Sequence, residues 1–224
     1  MHYLFHAPRY NKEKSTRPLR RYAMCGRYYI EKGFDAKLDG LLRRTHVTRP
    51  SADPYQGDTR DVFPSDRSLI IHASYDIGGH VMTTAMRWGF TNPYGSGLLI
   101  NARAETALEK KTFADSLLKR RCIIPASGFY EWDAHKARYR FRNPNHGLLL
   151  LAGFYREEED GPHFIILTTE ASDQMRPVHD RMPVMLGPKE IHPWIFDESH
   201  LEEFLTRPQR NLLMDQDEGQ ISMF

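Results

Sequence analysis

The segment from Gly147 to Glu170 restricts the fold more than any other. It holds "GLLLLAGFYRE", the acidic turn "EEEDGP", and "HFIILTTE". Gly147 to Phe154 is the longest apolar run in the chain, well short of the roughly 18–20 residues a membrane span needs. It reads as a buried strand, and the turn returns the chain into a second one. A chain built around such a hairpin must cover both of its faces, which asks for more strands and a packed domain.

The rest of the chain supplies them. "CGRYYI", "SLIIHAS", "HVMTTAMRWGF" and "PVML" read as strands. So do "RCIIPASGFYEWD" and "ARYRFRN", joined at residues 134–136 as a hairpin. "LLINARAET" starts extended and turns helical, and "TNPYGSG" is a turn by composition. Helices are expected at "FDAKLDGLLRRTH", where Phe34, Leu38, Leu41 and Leu42 share one side, and at "TFADSLLKR", "PKEIHPWIF" and "ESHLEEFLT". Residues 47–63 read as a polar loop. Hairpin-linked strands with helices between and after them make an α+β domain. One domain is expected over 24–224, preceded by a basic extension over 1–23 without order of its own.

Charge is divided unevenly. Six basic residues and one acid precede Met24, which leaves 25 Lys and Arg against 28 Asp and Glu beyond it. Nucleic acid would therefore be met by a local patch, not by overall charge. The extension lacks the continuous apolar core of an export signal, so a reducing, cytoplasmic setting is expected. Two cysteines, Cys25 and Cys122, are too few for a disulfide scaffold or a structural zinc site. No metal and no cofactor is expected, nor a membrane partner.

Four segments stand out: "MCGRYY", "RWGF" with "NARAET", "IPASGFYEW" and "HDRMPVML". Each has a plain structural reading when taken singly. Cys25 would be a small buried hydrophobe. Trp88, Phe129, Tyr130 and Trp132 would be core aromatics, Glu131 a surface carboxylate and His179 a loop histidine. Cys122, in "RRCIIP", reads as core.

Together, and in this order, the four segments resemble the SOS-response-associated peptidase (SRAP) family of abasic-site processing proteins. The resemblance covers Met24 to about Leu186. It implies a single α+β domain on a curved, antiparallel, barrel-like sheet with peripheral helices, and a monomer. It also implies covalent attachment to abasic sites in single-stranded DNA through an N-terminal cysteine. The catalytic residues carried over are Cys25, Asn101, Glu131 and His179. Arg27, Trp88 and Arg103 fall where the family contacts phosphate or stacks on bases. Lys111 and Arg181 are further phosphate contacts by the same matching, and Pro64 falls beside the DNA. The Pro64 segment departs from the family pattern, with Ser65 and Asp66 following it.

The chemistry suits these residue types. An abasic sugar opens to an aldehyde, which an unprotonated amine captures. At pH 7.5 a lysine with pKa ~10.4 is about 0.1% free base, whereas an α-amine near ~7.7–8.0 is roughly a quarter to a third free base. The cysteine thiol then closes a five-membered thiazolidine intramolecularly. Glu131 is placed to move the amine's protons, His179 to protonate the ring oxygen, and Asn101 to hold the N-terminus or the sugar. A weak lyase activity is expected through the imine. All this requires a free Cys25, so Met24 is expected to be the translation start, or residues 1–23 a propeptide. Two other readings stay open: a thiol or self-processing peptidase acting on protein, and a non-covalent reader of modified or single-stranded DNA.

Overall fold

The computed structural model describes residues 26–49, 59–74 and 79–216. Strand β1 (Tyr28–Ile30) is buried throughout and leads into helix α1 (Phe34–Thr45). Phe34, Leu38, Leu41 and Leu42 form the buried face of α1, as the spacing predicts. Strand β2 (Arg60–Val62) pairs antiparallel with β1, inside what reads from sequence as a polar loop. "RDV" has no strand pattern of its own; the pairing comes from the neighbour it meets. Strands β3 (Arg67–Ser74) and β4 (His80–Trp88) pair along their length. A small hairpin of β5 (Phe90–Thr91) and β6 (Leu98–Leu99) encloses the "TNPYGSG" turn. Strand β7 (Asn101–Arg103) runs into a 3-10 turn over Ala104–Thr106, and α2 (Ala114–Lys119) follows.

Strand β8 (Arg121–Ala126) is buried at every position. It is succeeded after one residue by β9 (Gly128–Trp132), then by β10 (Arg138–Arg142), β11 (Leu149–Glu158) and β12 (Gly161–Glu170). The described residues end with β13 (Arg181–Pro183), β14 (Met185–Leu186), α3 (Ile191–Phe196), α4 (Leu201–Thr206) and β15 (Leu213–Gln216).

These strands form two main sheets. In the larger, β12, β4, β3, β8 and β11 close on themselves, because β11 also pairs with β12. Four junctions of this five-stranded barrel are antiparallel, but β12–β4 is parallel, and β7 adds to β12 in parallel as well. The curved, antiparallel, barrel-like sheet that the resemblance implies is thus present, with parallel pairing at these two junctions. Closure brings β11 and β12 close: a Cβ at Gly153 would lie 2.4 Å from the Ile165 carbonyl oxygen. Helix α3 seals the barrel through Trp194, whose indole donates to the Cys122 carbonyl at 2.9 Å.

The smaller sheet runs β15-β10-β9-β1-β2. "RCIIPASGFYEWD" reads as one strand but is two, divided at Ser127 between the sheets. Gly128 makes the transfer feasible. A Cβ there would sit 2.2 Å from the Tyr29 hydroxyl and 2.3 Å from the Phe141 carbonyl oxygen.

Candidate functional site

The alternation of a strand sorts "GFYEW" onto two faces. Phe129 and Glu131 are buried, whereas Tyr130 is half-buried and Trp132 exposed. Phe129 stacks on Phe141, with centroids 5.0 Å apart, so Glu131 stands on the side of β9 that carries core aromatics. It is only 5% exposed, which corrects its plain reading as a surface carboxylate.

Asn101 and His179 belong to segments that flank barrel strand β12. Asn101 opens β7 opposite Ile166 of β12, and Arg103 lies opposite Thr168. On the other edge of β12, Thr168 faces Pro183 and Glu170 faces Arg181 of β13. β12 thus draws "NARAET" and "HDRMP" to its two flanks. An ion pair joins them. Arg181 donates from Nη1 to Glu105 Oε1 at 2.8 Å, from Nη2 to Glu105 Oε2 at 2.7 Å, and from Nη2 to the Thr168 carbonyl at 2.6 Å. Burial pushes the Glu105 carboxyl up, but the hydrogen bonds from Arg181 outweigh it and hold the group below its ordinary value. Arg181, matched to phosphate by sequence, has its guanidinium engaged inside the protein.

His179, just ahead of β13, is half-buried. Its Nδ1 accepts the Arg181 amide at 3.0 Å and also lies 3.1 Å from Asp180 Oδ1. The two contacts need opposite states of Nδ1. The neutral ring satisfies the amide and carries its proton on Nε2; the imidazolium turns Nδ1–H toward Asp180. Nδ1 thus has a neighbour in either protonation state.

Trp88 is fully buried, which corrects its assignment as a base-stacking residue. It lies 5.2 Å from the Tyr28 ring and 6.2 Å from Phe164. Its indole donates to the Ile100 carbonyl at 3.0 Å, immediately before Asn101. Trp88 therefore packs the small sheet against the barrel and fixes the start of β7.

The exposed aromatics lie elsewhere. The Arg27 guanidinium is 4.5 Å from the Phe63 ring centroid, 5.8 Å from Tyr130 and 5.9 Å from Trp132, and Arg138 is 5.1 Å from Tyr130. Phe63 and Trp132 are 42% and 37% exposed. Sequence reading missed Phe63, Trp132 and Arg138 as surface groups; the period-two alternation of "FYEW" was the available signal. Pro64 sits in the turn that follows Phe63. Asp66 closes that turn by accepting the Phe63 amide at 2.9 Å, so its carboxylate is occupied there. Arg103 and Lys111 are both exposed, Lys111 on the loop before α2. Cys122 is buried, and its burial raises the thiol pKa well above the ordinary range. Cys25 lies outside the described residues, as does the extension before it. Among the described residues no three His, Cys, Asp or Glu side chains converge as a metal-binding group.

The family model for "SOS response associated peptidase (SRAP)" matches residues 24–219. The chain belongs to the SRAP family. An SRAP relative, abasic site processing protein YoaM of Bacillus subtilis, is 31% identical over 196 residues, covering 81% of this chain and 83% of that protein. The abasic site processing protein YedK of Escherichia coli is 26% identical, covering 78% and 81%. Among solved structures, a Bordetella bronchiseptica protein superposes with a TM-score of 0.67 at 22% identity, covering 87% of this chain and all of that one. That likeness shows a shared fold.

Proposed function

We propose that this SRAP protein captures abasic sites in single-stranded DNA covalently, through Cys25 as a free N-terminus. The reading is carried by one arrangement. A buried carboxyl, Glu131, a histidine whose Nδ1 has neighbours in both protonation states, His179, and an amide, Asn101, lie in segments linked through Trp88 and the Arg181–Glu105 pair. The names of its relatives as abasic site processing proteins support the substrate.

The α-amine adds to the C1 aldehyde of the opened sugar, giving a carbinolamine. Loss of water gives an imine, with Glu131 taking the ammonium proton and returning it to the departing hydroxyl. The Cys25 thiol adds across the C=N bond; its sulfur bonds to carbon and its proton ends on nitrogen, closing the thiazolidine. His179 promotes ring opening by protonating the sugar ring oxygen. Elimination from the imine, cutting the strand, competes with ring closure. Arg27 and Arg103 supply phosphate contacts, and the exposed Trp132 a surface on which a base stacks. Residues ahead of Cys25 must first be removed.

A denaturing gel decides the matter. Protein beginning at Cys25 should give a heat-stable band with an abasic oligonucleotide and none with an intact one. Cys25→Ala should abolish that band. A band undiminished in Cys25→Ala would overturn covalent capture through this residue. Reversible, salt-sensitive binding alone would instead indicate a non-covalent reader.

A further inference from the structure

Helix α1, the loop between β10 and β11, β14 and the segment just ahead of β15 border an open groove of about 540 Å³. That volume is within the range of clefts that bind ligands. The floor is aliphatic, from Leu41, Leu148, Leu150, Met185 and Leu212. The rim carries three exposed cations, Lys37 and Arg44 on α1 and Arg210 ahead of β15. Among the described residues that border the groove, none is acidic and none is aromatic. The lack of acids runs against composition, because from Cys25 onward Asp and Glu outnumber Lys and Arg. Carboxylates near these cations are engaged elsewhere. Asp35 and Asp39 of α1 are held by Arg49. Glu190, within reach of the Arg210 charge, accepts from Arg207 and from the Gly187 amide.

One wall is kept open where a side chain would narrow it. Gly40 sits inside α1, where glycine is destabilising relative to alanine. Its backbone is helical, and a Cβ there would meet only the flexible Arg44 guanidinium, at 3.4 Å. Neither conformation nor packing asks for glycine at this position; an unobstructed groove does.

These features select an occupant. Bases would find no ring to stack on, so single-stranded nucleic acid fits poorly. The extension ahead of Met24 is basic, and the rim repels it. A peptide with apolar side chains for the floor and carboxylates for the rim satisfies both. Asn145 and Asn211 add side-chain amides that suit a peptide main chain. We infer that the groove binds an acidic peptide segment of another protein, its apolar side chains seated among the leucines and its carboxylates set against Lys37, Arg44 and Arg210. The groove stands apart from the candidate site. Strand β10 runs from Arg138, opposite Trp132, to Arg142, opposite Gly128, and the groove begins at Asn143. Five residues of extended chain, roughly 17 Å, separate the two ends. A partner can thus be held while DNA is engaged, and the inference does not depend on covalent capture.

Random dodecapeptides displayed on phage should be panned against the full chain. Enriched sequences should combine Asp or Glu with Leu, Ile, Val or Phe. The most enriched peptide, synthesised with a fluorescent label, should bind in fluorescence anisotropy, and less well as salt rises. Lys37→Glu/Arg44→Glu should weaken that binding about tenfold or more, through like-charge repulsion. Gly40→Leu should abolish it by filling the groove, with a thermal melt no lower than the parent's, because leucine is the better helix former. No enrichment, enrichment of basic or uncharged peptides, or binding undiminished in both variants would overturn the proposal. So would displacement of the peptide by a single-stranded oligonucleotide. Binding seen only once residues 217–224 are deleted, or a dimer in sedimentation that Gly40→Leu disperses, would give the groove to the chain's own end or to a second copy and overturn it too.

Discussion

Trp88 and Trp132 occupy similar sequence settings, each ending a strand inside a distinctive segment, yet they occupy opposite environments. Trp88 is 0% exposed and spends its indole N–H on Ile100; Trp132 is 37% exposed and borders the Arg27 guanidinium. Arg181 and Arg103 repeat the contrast. One is bound into Glu105 and the Thr168 carbonyl, the other stands in solvent. One residue type thus does two jobs here. The buried member ties neighbouring segments together, and the exposed member, under the proposed function, is the one that would meet the DNA.

The tryptophans should separate most widely. Trp88→Ala removes a fully buried indole between two sheets and should cost about 3–5 kcal/mol of stability, read as a lower midpoint in urea unfolding. Trp132→Ala should leave that midpoint within about 0.5 kcal/mol of the parent. Its loss should appear in single-stranded DNA affinity, by about 1–3 kcal/mol if a base stacks there. An unfolding midpoint lowered equally by both changes would erase the distinction.

The arginines should differ by less. Arg181→Ala leaves Glu105 without its bidentate partner and should cost about 1.5–3 kcal/mol of stability, the usual worth of a hydrogen bond to a charged group. Arg103→Ala should be within about 0.5 kcal/mol of the parent in stability. It should instead lower the slope of log affinity against log salt by about 0.7, the loss of one phosphate contact on a single strand. A salt slope that falls with Arg181→Ala but not with Arg103→Ala would reverse the assignment.

How much of this was legible beforehand depended on whether a signal was local. The α1 face, the β11–β12 hairpin and the buried β3 and β8 strands follow from apolar spacing, which acts over a few residues. Barrel closure does not, because the β12–β4 pairing joins segments some 76 residues apart, as His163 to Arg87. β15 was missed because "LMDQ" gains its strand geometry only from the free edge of β10. The two environments of Trp88 and Trp132 were equally hidden, since burial is decided by the sheet that packs opposite.

The smallest expected effect tests the Arg181–Glu105 pair by pH. Burial alone would raise the Glu105 carboxyl, yet the Arg181 hydrogen bonds leave it below its ordinary value. A carboxyl depressed in the folded protein binds its proton more weakly there than in the unfolded chain. Its contribution to stability is fully present above the unfolded pKa, about 4.3, and fades as pH falls through the folded value. Urea midpoints measured from pH 7 down to pH 3 should therefore decline less steeply in Glu105→Gln than in the parent, although the variant starts lower at neutral pH. Parallel decline in the two proteins would mean that the carboxylate charge adds nothing to the pair, and that Arg181 is held by the Thr168 carbonyl and by packing alone.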